Sequence, residues 1–384
     1  MKIQKILKRL LQLHPKSVDL SLDRIKRLLK NLDHPEKKLT NVIQVVGTNG
    51  KHSCCSTLRE IFETAGYTVN LNISPSLRKF NERYYFLGKH ISDDRLHDLL
   101  IEVEKVNRGQ NITFHEFICA CFFLEASRNK ADINILEAGL FFRLDASNVL
   151  NDNIASIVMP IGIDHKDFLK EGTISEIVYE KCSHLLNSSK IIVSEQKKNV
   201  LIKIKKNISK NSSKKIIFGK DYNFSKNKNG FIYKDKLFKM NLPLPNLLGD
   251  FQISNVSTAI ATIKSLDQFN ITEKHIKKAI TKIRSEGRLQ SITKGKLIKN
   301  VSKNNKIIID GAHNTLAASA VVKYLKKIGK SKKIFMILGM MANKEHAKFI
   351  KIFKKNIHAL IALDIPNQIN FIKKEKLKEI AETF

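Results

Sequence analysis

The sequence predicts an α/β protein of two domains, and two observations support this. Its 384 residues, 42% of them hydrophobic, are enough to bury about two separate cores. Short apolar segments with the pattern of strands also alternate with longer segments of helical periodicity, which is typical of parallel sheets covered by helices on both faces. The strands expected in the first domain are 42–46, 69–73, 133–136, 155–159 and 190–193.

The pattern changes in the second half of the chain. A turn-rich stretch predicts a small antiparallel sheet, two helices follow, and a second alternation of strands and helices then begins. The expected elements are the antiparallel sheet at 216–240, helices at 254–266 and 273–283, strands at 307–310, 333–338 and 359–363, and a helix from Lys373. We therefore place the two domains at residues 1–284 and 285–384.

Composition argues against membrane-spanning and nucleic-acid-binding classes. The apolar runs are far shorter than the roughly 18 residues that a bilayer crossing needs. The net charge of +32 comes mostly from scattered lysines, without a basic cluster interleaved with aromatic residues, so we expect no nucleic-acid partner. The densest basic run, 203–215, predicts a solvated helix and loop, and residues 1–13 predict a core-packed helix rather than an export signal. The five cysteines lack zinc or disulfide spacing and are expected to be buried, in a reducing cytoplasm.

The clearest motif follows the first expected strand. Residues 47–53, here called the phosphate loop, are Gly-Thr-Asn-Gly-Lys-His-Ser and lead into a helix. Glycines let backbone N–H groups close around phosphate oxygens, and the helix N-terminus favours negative charge. Lys51 is placed to reach terminal phosphates and Ser53 to ligate magnesium. Since the first glycine lies three residues, not five, before the Gly50-Lys51 pair, the general P-loop pattern is not met, and a glycine turn without a ligand is the alternative.

The loop resembles that of the Mur ligase superfamily, and further segments resemble its folylpolyglutamate synthase/dihydrofolate synthase branch, in order and over most of the chain. They are 73–77 (Ile-Ser-Pro-Ser-Leu), 80–83 (Phe-Asn-Glu-Arg), 113–116 (Thr-Phe-His-Glu), 136–140 (Leu-Glu-Ala-Gly-Leu), 143–148 (Arg-Leu-Asp-Ala-Ser-Asn), 161–165 (Ile-Gly-Ile-Asp-His), Glu180-Lys181, Gln252 with Asn255, 287–289 (Gly-Arg-Leu) and 310–314 (Asp-Gly-Ala-His-Asn). The resemblance implies a P-loop-type parallel-sheet ATPase domain followed by a smaller Rossmann-like α/β domain.

A magnesium site is indicated by strand ends and by the resemblance. Glu137 ends one expected strand and His165 follows another, and the carboxyl ends of parallel strands line the ligand crevice. Taken alone, Glu137 is also compatible with a surface carboxylate and His165 with a structural histidine. The resemblance assigns both to magnesium, together with Ser53 and Ser74. It also matches Lys181 to a lysine that can be carbamylated to hold a second magnesium, the alternative being a plain surface lysine.

The resemblance implies roles for further residues. Asp145 would face a pterin ring, and Arg83 and Glu116 would also bind substrate. Arg288 and Asp310 would close over the nucleotide, with His313 toward the incoming glutamate. The nucleotide set is Gly47, Thr48, Asn49, Gly50, Lys51, Ser53, Gln252, Asn255, Arg288 and Asp310, and the catalytic set is Lys51, His165, Lys181 and His313. For Gln252 and Asn255, helix-surface amides are the alternative.

The resemblance therefore implies an ATP- and Mg2+-dependent ligase that adds L-glutamate to dihydropteroate, a tetrahydrofolate or both through an acyl phosphate. Such an enzyme is expected to be a cytoplasmic monomer whose partners are small molecules. Four features depart from the family pattern: His52 replaces a glycine, Ser76 replaces a histidine, Phe141 and Phe142 replace a glycine pair, and the end at Phe384 implies a shortened second domain. They leave two alternatives, a superfamily amide ligase with another acceptor and a degenerate nucleotide-binding protein.

Overall fold

A central parallel sheet organises the first domain of the computed structural model, which describes residues 2–16, 18–187, 190–299, 301–302, 304–329, 332–366, 368 and 370–384. Its strands are β1 (Val42–Val46), β2 (Val69–Asn72), β3 (Tyr84–Phe86), β4 (Lys89–His90), β5 (Ile133–Glu137), β6 (Ala155–Val158), β7 (Lys190–Val193) and β8 (Lys215–Ile217). Within the described residues their order is β4-β3-β2-β5-β1-β6-β7-β8. Only β3 and β4, at one edge, run antiparallel to their neighbours. The five strands predicted for this domain are confirmed, with ends that differ by at most one residue.

Helices cover both faces of this sheet. They are α1 (Lys2–Leu10), α2 (Asp23–Asn31), α3 (Lys51–Thr64), α4 (Asp93–Asn107), α5 (Phe114–Arg128), α6 (Ile174–Cys182), α7 (Lys198–Asn207), α8 (Phe251–Lys264) and α9 (Glu273–Ile280). All five residues of β1 are buried, as a strand covered on both sides requires. Ile43 and Val45 pack against α3, α8 and α9, whereas Val42 joins the cluster formed with α1, α2, α4 and α5.

The antiparallel sheet predicted after the first domain's main sheet is confirmed, with one correction. It consists of β9 (Tyr222–Lys226), β10 (Gly230–Asp235) and β11 (Lys239–Pro243). Residues Lys215–Ile217, which overlap the first two residues of the stretch assigned to it, pair instead in parallel with β7. Their apolar side chains therefore extend the main sheet.

The second domain has its own core but a different pairing from the simple alternation predicted. Its elements are β12 (Gln290–Ile292), α10 (Lys296–Lys299), β13 (Ile307–Ile309), α11 (Thr315–Ile328), β14 (Phe335–Leu338), α12 (His346–Phe353), β15 (Ala359–Ala362) and α13 (Lys374–Glu382). In the described residues β13 pairs antiparallel with β12, and β14 pairs in parallel with β15. Short apolar segments predict strands but do not indicate which strands pair with each other. The pairing in this domain could therefore not be predicted from the sequence.

Several smaller predictions can be compared with the structure. The N-terminal segment forms α1 and buries Ile6, Leu7 and Leu10, and all five cysteines are buried and free. None of the helices in the described part of the chain combines the length and apolar character that a bilayer crossing requires. The predicted domain boundary at Ser285 falls in the connection between α9 and β12, here called the linker (residues 281–289).

Candidate active site

Four adjacent strands bring most of the predicted site to one edge of the sheet. Strands β2, β5, β1 and β6 are neighbours and run parallel, so their carboxyl ends meet. Ser74 follows β2, Glu137 ends β5, the phosphate loop follows β1, and His165 lies beyond β6. Sequence positions more than a hundred residues apart are thus collected where ligands bind in open α/β sheets.

At two positions of the phosphate loop, the backbone has a conformation and a close contact that only glycine permits. Gly47 and Gly50 have φ values of 151° and 84°, which disfavour residues with a side chain. A Cβ on Gly47 would lie 2.7 Å from Met159 Cβ, and one on Gly50 would lie 2.6 Å from Asn255 Oδ1. The first N–H groups of α3 have no acceptor within the helix, so the loop is suited to receive a phosphate.

Two lysine amines converge on this loop. Lys51 Nζ donates to the carbonyl oxygen of Gly47 at 3.1 Å, and Lys181 Nζ donates to the same oxygen at 3.1 Å and to Leu140 O at 2.6 Å. Burial, with the nearby charge of Lys51, lowers the pKa of Lys181 to about 7. The alternative of Lys181 as a plain surface lysine is therefore wrong.

The candidate magnesium ligands provide hard oxygen atoms beside the loop. Glu137 is buried, so the surface-carboxylate alternative is also wrong. Its Oε2 accepts a hydrogen bond from Ser74 N at 3.1 Å, and burial raises its pKa, opposed by Lys51 and by that hydrogen bond. Ser53 is buried in the first turn of α3. A carboxylate and hydroxyls of this kind fit magnesium, which keeps several of its positions for water and phosphate.

His165 adopts a left-handed conformation (φ 54°) just after β6, and its side chain is 28% exposed. Burial lowers its pKa to about 3, so the imidazole is neutral near pH 7 and can offer a lone pair. Among the described residues there is no cluster of three or more His, Cys, Asp or Glu that could hold a metal. The predicted set instead mixes one carboxylate and one imidazole with hydroxyls and a lysine.

The two phenylalanines that depart from the family pattern are both buried. Phe142 packs into the core with Val46 and Val178. The ring of Phe141 meets the His165 ring edge-on at 6.4 Å and lies 5.3 Å from Lys181 Nζ. Phe142 therefore points away from the site, and Phe141 forms an apolar wall between two candidate catalytic residues.

Gln252 and Asn255 lie on α8, and both are buried, so the surface-amide alternative is wrong for them. Asn255 Nδ2 donates to Gln252 Oε1 at 2.9 Å. Gln252 Nε2 is a buried donor without a partner in the described structure. Buried polar groups are rarely left unpaired, so a ligand beside Gly50 that accepts this hydrogen bond fits the arrangement.

Asp145, predicted to face a pterin ring, is already heavily hydrogen bonded. Its Oδ1 accepts from Ser147 N at 2.9 Å and from Ser147 Oγ at 2.6 Å. Its Oδ2 accepts from Gly139 N at 3.0 Å and lies 3.5 Å from His115 Nε2. Although burial acts in the opposite direction, the charge of His115 and these hydrogen bonds lower the pKa of Asp145 to about 2. His115 was not among the predicted site residues, although it lies in one of the matching segments.

The other two residues assigned to substrate have visible local roles. Glu116 is buried and accepts hydrogen bonds from Thr113 N at 2.7 Å and Arg24 Nε at 3.0 Å, which caps α5. Arg83 lies over the ring of Phe80 at 5.2 Å, and its buried Nε has no partner in the described structure. Substrate binding by Glu116 and Arg83 stays a prediction.

Arg288 and Asp310 lie where the linker meets the second domain. Asp310 accepts hydrogen bonds from Leu289 N at 2.7 Å and Ala312 N at 2.8 Å, so it shapes the loop that carries His313. Arg288 Nη1 donates to the carbonyl oxygen of Gly287 at 3.2 Å, and burial, followed by the charge of Arg288, lowers the pKa of His52 to about 3.

A cluster that includes the predicted residue His313, but that sequence reasoning did not assemble, joins the domains. Asp164, just before His165, accepts hydrogen bonds from Lys344 Nζ at 2.7 Å and Asn314 Nδ2 at 2.9 Å, and its Oδ2 lies 3.1 Å from His313 Nε2. We call these four residues the interdomain cluster. The amide of Asn314 is also hydrogen bonded to that of Asn49 in the phosphate loop. Against the effect of burial, His313, His165 and Lys344 hold the pKa of Asp164 well below its usual value.

Comparison with known proteins agrees with this architecture. The Mur ligase middle domain matches residues 45–263, and the Mur ligase glutamate ligase domain matches residues 287–384. A dihydrofolate synthase/folylpolyglutamate synthase from Buchnera aphidicola (from Acyrthosiphon pisum) is 31% identical over 322 residues, covering 83% of this chain and 73% of that protein.

Solved structures are similar over almost the whole chain. Escherichia coli FolC in complex with DHPP and ADP superimposes with a TM-score of 0.88 at 26% identity, covering 99% of this chain and 87% of that one. A bifunctional folylpolyglutamate synthase/dihydrofolate synthase with Mn, AMPPNP and L-glutamate bound gives a TM-score of 0.83 at 25% identity, covering 97% and 86%. The chain therefore belongs to the Mur ligases, in the dihydrofolate synthase/folylpolyglutamate synthase family.

Proposed function

We propose that this protein is an ATP-dependent ligase that joins L-glutamate to the carboxylate of dihydropteroate, of a tetrahydrofolate or of both, through an acyl phosphate. One observation carries the proposal: the phosphate loop, two lysine amines and a buried carboxylate meet at a sheet edge that the second domain faces with His313. The relatives named as enzymes of this activity, and those solved with ADP or with AMPPNP and L-glutamate, support it.

The first domain supplies the groups that activate the acceptor carboxylate. The glycine loop and the N-terminus of α3 bind the phosphates. The Lys51 amine exchanges its hydrogen bonds to the loop carbonyls for contact with the phosphoryl group that is transferred. Ser53, Ser74, Glu137 and His165 are the residues that would hold magnesium, which supplies charge neutralisation on the phosphates when bound. Positioning and electrostatics of this kind account for most of the catalysis of phosphoryl transfer.

Lys181 adds a group whose protonation is adjustable. With its pKa lowered to about 7, a large fraction of its amine is neutral near pH 7, and only a neutral amine reacts with carbon dioxide to form a carbamate. The amine also lies on the Gly47 carbonyl, beside the phosphates. We infer that Lys181 is carbamylated in the working enzyme and then contributes oxygen atoms to the metal side of the site.

The second domain supplies the amine. His313 and Asp164 lie 3.1 Å apart across the domain interface, next to the candidate metal ligand His165. A glutamate amine held there would reach the acyl phosphate, and closure of the domains would exclude the water that hydrolyses it. Action as a monomer on small molecules in the cytoplasm remains part of this proposal.

The test is ATP turnover by the purified protein with dihydropteroate, a reduced folate or a UDP-linked muropeptide as acceptor, each with and without L-glutamate. We expect amide formation that requires a pteroate compound and glutamate together. Lys51→Ala should abolish it in a folded protein. Turnover only with the muropeptide would assign another acceptor, and binding of ATP without any turnover would identify a degenerate protein.

A further inference from the structure

The linker passes between two separate cores within a few residues. Ile283 is fully buried in the core formed by α3, α8 and α9, and Leu289 is buried in the core of the second domain. Ser285 lies between them and is itself buried. Any change in the angle between the domains must therefore be accommodated close to Ser285.

The linker is in direct contact with the phosphate loop at this point. His52 Nδ1 lies 2.8 Å from Ser285 Oγ, and Ser53 Oγ lies 3.4 Å from the same hydroxyl. His52 and Ser53 occupy the first turn of α3, where the loop would receive phosphate. A movement of this turn is thus transmitted to the linker through one hydroxyl group.

The other anchors of the linker are weaker or lie beyond the hinge. Glu286 forms an ion pair with Arg78 at 3.0 Å, but the Arg78 side chain is 76% exposed, and exposed ion pairs contribute little. Gly287 accepts a hydrogen bond from Gly311 N at 2.9 Å, which attaches it to the second domain. Within the described residues, Ser285 Oγ is the linker side-chain atom that contacts the phosphate loop, and its shorter hydrogen bond there is the one with His52 at 2.8 Å rather than the one with Ser53 at 3.4 Å.

We propose that the His52–Ser285 hydrogen bond couples nucleotide binding at the phosphate loop to the position of the linker, so that a filled loop holds the second domain in its closed orientation. His52 is then a positioning residue for amide formation. This proposal rests on the proposed function in one respect only, namely that the species protected by domain closure is the acyl phosphate. Nucleotide-dependent ordering of the linker does not depend on the identity of the acceptor.

Three substitutions separate this role from simple space filling. His52→Asn places an amide where Nδ1 now lies and keeps a hydrogen-bonding partner for Ser285. His52→Leu fills similar volume without one. Ser285→Ala removes only one hydroxyl and leaves the surrounding packing in place, so it keeps the test valid if His52→Leu does not fold.

The measurement is hydrogen exchange of the backbone amides at 286–289, with and without magnesium and a non-hydrolysable ATP analogue. In the wild type and in His52→Asn, we expect nucleotide to slow this exchange by at least about fivefold, a typical size for coupling between sites. In His52→Leu and Ser285→Ala the slowing should disappear, and the double variant should be no worse than either single one.

A second readout is the number of ATP molecules hydrolysed per amide formed, which should rise in His52→Leu and Ser285→Ala and remain at the wild-type value in His52→Asn. Equal linker protection in wild type and His52→Leu, or no protection in the wild type, would overturn the coupling. If linker protection follows the expected pattern but no folate is glutamylated, the coupling stands and the proposed function fails.

Discussion

At the scale of single residues, positive charge gathers around one backbone oxygen. The amines of Lys51 and Lys181 both donate to the carbonyl of Gly47, and the charges of Lys51 and Arg288 oppose the effect of burial, which raises the pKa of Glu137. These amines favour an anionic ligand, because among the described residues neither forms an ion pair with a carboxylate, although Lys181 is only partly charged near pH 7. The loop is therefore electrostatically prepared for phosphate.

Glu137 tests the metal side of this site. Glu137→Gln keeps the size of the side chain and removes its charge, so turnover should fall by about 100-fold or more and the magnesium concentration needed for half-maximal rate should rise. Glu63→Gln is the matched control, since Glu63 lies at the other end of α3 and its bond from Tyr85 Oη at 2.6 Å survives. Magnesium titrations of both variants measure the effect. Unchanged magnesium dependence in Glu137→Gln would remove this residue from the site.

The pair of His115 and Asp145 predicts a pH dependence of stability. Although burial acts against the charged ring, Cys119 and Asp145 raise the pKa of His115 above its usual 6.5. The folded protein thus holds this proton more tightly than the unfolded chain does. The resulting stabilisation is complete below about pH 6.5 and is lost as pH rises through the raised pKa.

We therefore expect the wild type to exceed His115→Gln in free energy of unfolding by up to about 1 kcal/mol at pH 6, allowing for the partial exposure of the ring. The difference should shrink steadily toward pH 9. Urea unfolding of both proteins at a series of pH values measures it. A difference that is constant with pH would show that the ring contributes only packing.

How far single residues could be predicted depended on whether their partners were local. The phosphate loop is contiguous, so the spacing of its glycines and Lys51 in the sequence was enough to predict phosphate binding. Lys181 was ambiguous because burial, which changes its chemistry, is a property of the folded chain. Lys344 was missed altogether, since its partner Asp164 lies 180 positions away and no local pattern marks the contact.

At the scale of elements, burial on both faces made the first sheet predictable. Strands such as β1 and β5 are wholly buried, so their sequences are mostly apolar, apart from the buried polar residues Gln44, Asn134 and Glu137. In the second domain, β14 and β15 alternate in exposure. Their presence was predicted, but neither β12 nor its pairing with β13 was, because a three-residue strand carries too little pattern to be recognised or to select a partner.

This alternation can be tested on β14. Phe335 is 60% exposed, whereas Leu338 at the end of the same strand is 7% exposed and belongs to the domain core. Leu338→Ala should lower the free energy of unfolding of the second domain by about 2–4 kcal/mol, through lost burial and an internal cavity. Phe335→Thr should change it by no more than about 0.5 kcal/mol. Thermal and urea unfolding provide both values, and a large loss in Phe335→Thr would show that this face is covered.

At the scale of the whole molecule, the interdomain cluster and the linker hold the two domains in one arrangement. Asp164 belongs to the first domain and contacts His313, Asn314 and Lys344 of the second. Lys166 and Glu345 add an ion pair at 2.9 Å across the same interface. The interdomain cluster adjoins the candidate metal ligand His165, and the linker adjoins the phosphate loop. Domain closure is therefore linked to occupation of the nucleotide and metal site.

His313 tests whether closure, rather than nucleotide binding, is the contribution of the second domain. The phosphate loop, Gln252 and Asn255 all lie in the first domain, and the His313 side chain is 45% exposed, so His313→Ala should fold and bind an ATP analogue with nearly wild-type affinity. Amide formation should fall by about 100-fold or more, because the amine is no longer held against the acyl phosphate.

His346→Ala, which removes a histidine bonded to Met341 O within the second domain, is the matched control. Nucleotide affinity from calorimetry and both reaction products, phosphate and amide, should be measured for each protein. When glutamate is scarce, the variant should release more phosphate per amide than the wild type, since an acyl phosphate that is not captured is hydrolysed. Equal loss of nucleotide affinity and of ligation would instead place His313 in the nucleotide site and contradict the closure mechanism.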